Sequence, residues 1–315
     1  MKIVILDRLT LGEDLDVSGL NRFGTVLVYD TTKDDEVIEH IGDADVIFLN
    51  KVRLGEHNLK DASNLKLICE AATGYDNIDL EYCRARGIAV CNVPGYSVHS
   101  VSQVTVSMVL SLVNHLPEYA AYTKSGFYTE QGAANILRPV YHELFGKTWG
   151  IVGYGAIGEK VAEVAKAFGC RVLAFKRTPK EGVECTDIDT LMKESDIITV
   201  HLPLSEETRG LIDKKRIDGM KKTAILVNTA RGAVCDETAL CEAVGKGRIA
   251  GIGVDVFSKE PFEKGSPYDT VKHLPNVCLT PHMAWGAKES RERCFSEMLK
   301  NTEAFFRGER RNRVD

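Results

Sequence analysis

Three glycines at positions 153, 155 and 158 could hold the pyrophosphate of a dinucleotide. They form a G-x-G-x-x-G run directly after the apolar segment TWGIV and directly before a segment with apolar residues at helical spacing. In such a run Gly153 permits a tight turn, Gly155 lets the backbone approach the phosphates, and Gly158 lets the helix pack closely on the strand. The free N–H groups at the start of the helix then face the phosphates. The flanking strand and helix favour this interpretation over a glycine-rich turn without a ligand.

The end of the next strand indicates which dinucleotide would bind. An acid about 20 residues after the glycine run usually binds the adenosine ribose hydroxyls. Here the strand RVLAF is followed instead by Lys176, Arg177 and Thr178. Two cations and a hydroxyl suit a 2′-phosphate, which an acid would repel. The alternative is that both cations point into solvent, as most surface cations do. We therefore expect NAD(P)(H) binding with a preference for NADP(H).

Polar residues follow three later strands of the same series. Arg231 comes after ILVNTA, Asp255 and Glu260 come after AGIGV, and His282 comes after NVCLT. The carboxyl ends of the strands line the ligand crevice in an open α/β sheet. Each residue taken alone could be an ordinary surface or turn residue, and Asp255 could be a simple cap. Together they are expected to converge on the cofactor.

Arg231, Glu260 and His282 have the side chains that reduction of a 2-keto acid requires. A guanidinium can bind the substrate carboxylate through its planar fork and polarise the carbonyl. An imidazolium can donate a proton near neutral pH, and a nearby carboxylate favours that protonated form. Neutral His282 would act as the base in the reverse direction. Asp255 is placed to accept a hydrogen bond from the nicotinamide carboxamide.

The elements that must position these residues alternate between strands and helices. A first series contains KIVILD, VLVYD, DVIFLN, LKLICEAAT and IAVCNV, and a second contains TWGIVG, RVLAFK, DIITVHLP, TAILVNTA, IAGIGVDVF and NVCLTP. Such alternation predicts two doubly wound parallel sheets. The run from Ser97 through Val113 is interpreted as a buried helix. The segment from Pro117 to Pro139 is interpreted as an irregular connection.

The last segment, AKESRERCFSEMLKNTEAFFRG, has helical spacing and ends at Gly308. Because one helix is too short to form a domain, we expect it to pack on the first series. The prediction is an α/β protein with two domains. A flavodoxin-like substrate domain would comprise residues 1–96 plus 286–315, and a Rossmann-type dinucleotide-binding domain would comprise residues 97–285.

Composition limits the environment and the partners. The 315 residues are 44% hydrophobic and 27% charged, and the net charge of -5 gives no basic excess for binding nucleic acid. The N-terminal sequence MKIVILD predicts neither a signal peptide nor a membrane span. Nine cysteines without a C-x-x-C pair favour reduced thiols and no metal site. We expect a cytoplasmic protein that binds a small molecule and neither a membrane nor nucleic acid.

The chain resembles the D-isomer-specific 2-hydroxyacid dehydrogenases along nearly its whole length. The segments that carry the likeness are GKTWGIVGYGAIG, HLPLSEETRGLI, ILVNTARGAVCDETAL, IAGIGVDVFSKEP and LTPHMAWGA, with FLNKVRL, ATGYDNID and NVPGYSVHSVSQ nearer the start. The combination of these segments with Trp285, just after His282, most resembles the glycerate dehydrogenase (hydroxypyruvate reductase) branch. The resemblance implies reduction of hydroxypyruvate or glyoxylate to D-glycerate or glycolate, with Arg231, Glu260 and His282 as the catalytic residues.

The same resemblance assigns further residues. Thr73, Gly74, Arg231 and Trp285 would bind the substrate. The residues implied around the cofactor are Thr105, Gly153, Gly155, Ala156, Ile157, Gly158, His201, Pro203, Thr229 and Asp255. The family also implies a homodimer joined through the cofactor domains. In two places the chain departs from the family pattern: Lys176 replaces the usual acid, and Val104 stands where the family often has His.

Several related functions remain open from sequence. Glu260 argues against a formate dehydrogenase, which would carry Gln at this position, and the absence of an added C-terminal domain argues against many phosphoglycerate dehydrogenases. A D-lactate dehydrogenase stays possible, because loops form the pocket for the C3 substituent. A dinucleotide-sensing protein similar to the C-terminal binding protein corepressors would keep the same triad. The physiological substrate, the favoured direction and the strictness of the cofactor preference are not predicted.

Overall fold

The computed structural model describes residues 1–315 and divides them into two compact units. The first unit comprises Met1–Ser97 and Trp285–Asp315, and the second comprises Val98–Ala284. The strands are β1 Lys2–Ile5, β2 Thr25–Val28, β3 Val46–Leu49, β4 Leu67–Glu70, β5 Ala89–Cys91, β6 Thr148–Val152, β7 Arg171–Phe175, β8 Ile197–Val200, β9 Ile225–Asn228, β10 Gly251–Val254 and β11 Val277–Leu279. The α-helices are α1 Val37–Ile41, α2 Glu56–Leu59, α3 Leu80–Ala85, α4 Val98–Val113, α5 Leu116–Lys124, α6 Phe127–Gln131, α7 Ala156–Ala167, α8 Ile188–Glu194, α9 Lys214–Gly219, α10 Glu237–Gly245 and α11 Lys288–Phe306. Both units are parallel α/β structures, which confirms the predicted fold class.

The first unit is built on a five-stranded parallel sheet in the order β2-β1-β3-β4-β5. This is the strand order of a flavodoxin-like fold. Alternate side chains of β1 enter two core clusters, with Ile3 and Ile5 on one face and Val4 on the other. Helix α11 adds Phe295 and Met298 to the face of Ile3. The last helix of the chain therefore completes the core of the first unit.

The second unit is built on a six-stranded parallel sheet in the order β11-β10-β9-β8-β6-β7. An isolated parallel bridge between Ala174 and Cys185 extends it beyond β7. The order reverses between β6 and β8, and a parallel α/β sheet binds its ligand at such a switch point, outside the carboxyl ends of the strands. The glycine turn follows β6 at this place. The loops with the other candidate residues follow β7, β8, β9, β10 and β11 at the same edge.

The segment between α4 and β6 differs from its prediction as an irregular connection. It contains helices α5 and α6. Pro117 lies in the first turn of α5. The missing N–H of a proline does no harm there, because the first N–H groups of a helix have no partner within the helix. The proline therefore lies in a helix where the start of an irregular connection was expected.

The structure also bears on the expectations of reduced cysteines and of no membrane-spanning segment. All nine cysteines are free thiols, as predicted, and seven of them are buried. None of the helices combines the length and apolar character needed to cross a bilayer.

Candidate active site

The glycine turn joins β6 to α7 with little room at two of its three glycines. Gly153 has a φ of 100°, a conformation that side-chain-bearing residues rarely adopt. A Cβ at Gly153 would lie 2.8 Å from the carbonyl carbon of His201, and one at Gly158 would lie 2.2 Å from the Gly153 oxygen. These two glycines are required by the packing of the protein itself.

Gly155 is different, because a Cβ there would meet nothing within 4 Å. Gly155 is the N-cap of α7, and no side chain caps the helix. Of the following residues, Ala156 is exposed and Ile157 is half-buried. Unsatisfied N–H groups at a helix start beside open space form an anion site. The residues present therefore fit the pyrophosphate of a dinucleotide.

Four other predicted cofactor residues lie in the second unit on α4 and after β8 and β9. The hydroxyls of Thr105 and Thr229 are hydrogen-bonded at 2.9 Å, which ties α4 to the loop after β9. Both ring nitrogens of His201 are shielded from solvent without a hydrogen-bond partner, and burial lowers the pKa of His201 to about 3. Exposed Pro203 accepts a hydrogen bond from the Thr208 hydroxyl at 2.6 Å. The neutral, unpartnered imidazole fits a polar ligand group at this edge.

The cations after β7 occupy different surroundings. Lys176 is half-buried, and its Nζ donates to the carbonyl oxygen of Tyr154 in the glycine turn at 3.3 Å. Arg177 has a side chain that is 89% exposed and lies 3.4 Å from Glu207. Thr178 is exposed. Lys176 is therefore the cation held against the turn, whereas Arg177 extends from the surface.

Glu260 and His282 form a directly bonded pair. Oε2 of Glu260 lies 2.6 Å from Nδ1 of His282, and Oε1 accepts the N–H of Phe257 at 3.0 Å. The side chains are 28% and 21% exposed, so a small molecule can reach them. With Nδ1 bonded to a carboxylate, Nε2 is the ring atom suited to exchanging a proton with a substrate. The arrangement can perform general acid and base catalysis.

Asp255 organises the loop that carries His282. It is 1% exposed, and its carboxylate accepts the N–H groups of Met283 and Ala284 at 2.9 and 3.0 Å and the Thr280 hydroxyl at 2.6 Å. Its carbonyl oxygen also accepts the N–H of His282 at 2.8 Å. Asp255 is thus more than a simple cap. Its predicted contact with the nicotinamide remains a prediction.

Arg231 lies in a loop held by residues that sequence reasoning did not identify. The amide of Asn228 donates to the Arg231 carbonyl at 2.9 Å and accepts the Ala230 N–H at 3.0 Å. A Cβ at Gly232 would lie 2.2 Å from the backbone nitrogen of Ser258, so the Arg231 loop and the Glu260 loop pack backbone to backbone. A single polar residue closing the apolar run ILVN was the available signal for Asn228. The R-G dipeptide was the signal for Gly232.

The predicted substrate residues Thr73, Gly74 and Trp285 belong to the first unit. Thr73 and Gly74 follow β4, and the Thr73 hydroxyl donates to the Val93 carbonyl at 2.9 Å. Trp285 packs edge-on against Tyr96, with ring centroids 6.1 Å apart. It also lines a small apolar hollow together with Leu11 and Phe295.

Two buried acids lie at the carboxyl ends of β1 and β4 in the first unit. Asp7 is 3% exposed and accepts the backbone N–H groups of Asn50 and Lys51. Glu70 is fully buried. Its Oε2 accepts a hydrogen bond from Asn77 at 3.1 Å, and its Oε1 has no partner. Burial, followed by the charge of Asp7, raises the pKa of Glu70 well above its usual range. Sequence reasoning did not single out either acid.

Comparison with a family model supports the assignment of the second unit. The NAD-binding domain of the D-isomer specific 2-hydroxyacid dehydrogenases matches residues 106–284. This range contains the glycine turn and all three residues of the predicted catalytic set.

Individual proteins match over the whole chain. The glycerate dehydrogenase of Methylorubrum extorquens is 36% identical over 100% of this chain and 99% of its own length. The hydroxypyruvate reductase of Blautia hydrogenotrophica is 35% identical over 98% of each chain. The structure of an acyclic imino acid reductase, Bsp5, in complex with NADPH and D-Arg has a TM-score of 0.89 and 28% identity, with 100% of both chains covered. Whole-length identity, a matching fold and the matching family model agree, and the chain belongs to the D-isomer specific 2-hydroxyacid dehydrogenase family.

Proposed function

We propose that this enzyme reduces hydroxypyruvate or glyoxylate to D-glycerate or glycolate. The C2 carbonyl of the substrate gains a hydride and a proton, while NAD(P)H is oxidised to NAD(P)⁺. The observation that carries the proposal is the 2.6 Å contact between Glu260 and His282, because it creates an acid and base group at the strand ends where the glycine turn also lies.

Three side chains divide the work on the substrate. Bound reduced nicotinamide supplies the hydride. Protonated His282 donates to the ketone oxygen as negative charge develops there, and Glu260 stabilises the imidazolium. Arg231 binds the substrate carboxylate and polarises the ketone. In oxidation, neutral His282 accepts the hydroxyl proton.

Lys176 supports a preference for NADP(H). Its ammonium is held against the glycine turn at the end of β7, where an acid would bind the ribose hydroxyls of NAD(H). Arg177 and Thr178 are exposed beside it and are proposed to reach the 2′-phosphate with it. The similar imino acid reductase structure contains NADPH.

The proposed substrates are small and polar. The most similar relatives include a glycerate dehydrogenase and a hydroxypyruvate reductase. Thr73 and Gly74 are proposed to hold the substrate carboxylate with backbone groups, and Trp285 is proposed to contact the C3 end.

We also propose a homodimer joined through the second unit. Residues 116–145 expose several large apolar side chains, among them Phe145, which is 78% exposed. The others are Leu116, Phe127, Tyr128, Leu137, Val140 and Tyr141. A concentration of apolar surface of this kind is typical of a protein interface. Light scattering should give twice the mass of the 34.8 kDa chain, and a monomer would contradict this proposal.

The function is tested by a steady-state panel. Hydroxypyruvate, glyoxylate, pyruvate and other 2-keto acids would be assayed with NADPH and with NADH. We expect the highest kcat/KM with hydroxypyruvate or glyoxylate and with NADPH. A clear preference for NADH would refute the role of Lys176, and a preference for pyruvate would favour a D-lactate dehydrogenase. Absence of turnover with every acid would favour a dinucleotide sensor.

The acid role is tested by His282→Ala. Losing one oriented catalytic group lowers turnover by at least about 10²-fold, whereas the glycine turn is untouched. The variant should therefore bind NADPH as the wild type does, measured by fluorescence titration, and show almost no turnover. Near-normal kcat would exclude His282 as the acid.

A further inference from the structure

The loop that carries Glu260 rests on a buried aromatic cluster. The rings of Phe257 and Phe262 lie 4.9 Å apart, and Phe257 lies 5.1 Å from Tyr268. Tyr268 is 1% exposed. Packed rings fix the two ends of the loop, but they supply no hydrogen bond to orient its backbone.

That hydrogen bond comes from Glu237 on helix α10. Oε1 of Glu237 accepts the backbone N–H of Ser258 at 2.8 Å. An acid at a helix start usually serves its own helix. Helix α10 already has a cap in Asp236, whose side chain accepts the N–H of Ala239 at 3.0 Å. Glu237 can therefore serve the neighbouring loop.

Tyr268 lies close to the Glu237 carboxylate. Burial, and then the charge of Glu237, raise the pKa of Tyr268 well above its usual range. The carboxylate of Glu237 is thus placed between the aromatic cluster and the backbone of the loop.

We propose that Glu237 is a positioning residue that holds Glu260 against His282 by fixing the backbone at Ser258. The inference rests on the proposed function of that pair. The N–H of Phe257, next to Ser258 in the chain, donates to Oε1 of Glu260 at 3.0 Å. Fixing this stretch directs the other oxygen, Oε2, to Nδ1 of His282 at 2.6 Å. If Ser258 is released, the carboxylate can move away from the ring.

Other charged groups lie on the neighbouring loops and on the Glu260 loop itself. Arg231 follows β9, and Asp255 holds the loop that carries His282. Lys259 and Glu263 lie on the Glu260 loop, where they pair with each other and are exposed. Since the charge of Glu237 could also act on His282 directly, the test must separate charge from hydrogen bonding.

Two substitutions separate the effect of charge from that of the hydrogen bond. Glu237→Gln removes the charge but keeps an oxygen that accepts the Ser258 N–H, whereas Glu237→Ala removes both.

We expect Glu237→Ala to lower kcat by at least about 10-fold, because small displacements of a catalytic group have large effects. The loss of reduction on the alkaline side should move to lower pH. KM for the cofactor should not change, and Glu237→Gln should restore wild-type behaviour. The matched control is Glu242→Ala, because Glu242 is an exposed residue of α10 that pairs with Lys246.

A second measurement does not need turnover. The protonation midpoint of His282 is followed by its imidazole resonance in ¹³C-histidine-labelled protein, assigned with His282→Ala. Glu237→Ala should lower the midpoint, and Glu237→Gln should not. Should Glu237→Ala fail to fold, Glu237→Asp should produce a smaller shift in the same direction, because its shorter side chain keeps the charge but withdraws the oxygen from the Ser258 N–H.

Three outcomes decide the matter. An unchanged midpoint in Glu237→Ala and Glu237→Asp overturns the inference. Equal shifts in Glu237→Ala and Glu237→Gln also overturn it, because charge alone would then explain them. A wild type without turnover, combined with a shift in Glu237→Ala alone, rejects the proposed function and supports the positioning role.

Discussion

At the scale of single residues, the His282 side chain depends on backbone contacts for its direction. His282 has a φ of 52°, in the left-handed region that few non-glycine residues adopt. Its N–H is held by Asp255, whose carboxylate also binds the two following N–H groups. Such a conformation persists only where the surroundings enforce it. The direction of the ring is therefore fixed before a substrate arrives.

Glu260→Gln is expected to shift the pH dependence of reduction to lower pH. The substitution keeps the size of the side chain but removes the negative charge beside the imidazolium. With less stabilisation, the protonated form of His282 disappears at lower pH, and the donor for reduction disappears with it. The measurement is kcat/KM for the 2-keto acid against pH. Glu263→Gln on the same loop is the control, and coincident profiles for Glu260→Gln and the wild type would contradict the coupling.

At the scale of elements, different glycines of the turn between β6 and α7 serve the packing of the protein and the proposed binding of the cofactor. Gly158 is needed because the helix lies against the turn, whereas Gly155 faces open space. Both facts were expected from the spacing of the glycines and the elements beside them. This motif is local in sequence, and local geometry decides its shape.

Gly155→Ala and Gly158→Ala should therefore have different effects. A methyl at Gly158 meets the Gly153 oxygen, so the melting temperature should fall, in line with about 1–3 kcal/mol for overpacking. A methyl at Gly155 meets no protein atom, so stability should hold while NADPH binding weakens at least about 10-fold from the lost approach of backbone to phosphate. Thermal melts and fluorescence titrations measure the two properties. Unweakened binding in Gly155→Ala would refute the pyrophosphate assignment.

Other elements were beyond sequence reasoning for physical reasons. Pro117 was interpreted as the start of an irregular connection, and only its place in the first turn of α5 shows why a helix tolerates it. Glu237 acts on Ser258, which is distant in sequence, and no local pattern marks such a contact. Strands and the glycine turn follow from periodicity, whereas contacts between loops depend on how the loops meet. The residues that support Arg231 and Glu260 were accordingly missed.

At the scale of the whole molecule, the buried acids of the first unit link stability to pH. Glu70 is fully buried with a raised pKa, so the folded protein keeps its proton above the pH at which the unfolded chain loses it. Asp7, Lys51 and Asp76 are the charged groups that act on it. Stability is then greatest below the unfolded pKa and falls as pH rises towards the folded value, by up to about 1.4 kcal/mol per pH unit.

Glu70→Gln should remove this dependence. Glutamine resembles the protonated acid, so the variant and the wild type should have similar melting temperatures near pH 5. The variant should be more stable near pH 8, where the wild type must keep a proton or bury a charge. Melting temperatures across this range test it, with exposed Glu56→Gln of the same unit as control. Parallel curves for wild type and Glu70→Gln would contradict the buried, protonated state.

The packing of α11 in the core of the first unit has a consequence for synthesis on the ribosome. All six strands of the second unit are present once residue 279 has been made, so that sheet can form while the chain is still growing. The five strands of the first unit are made much earlier, but Phe295 and Met298, which complete one face of their sheet, are made only after the whole of the second unit. The unit that begins first is therefore finished last, and until then its apolar face must be shielded from other nascent chains.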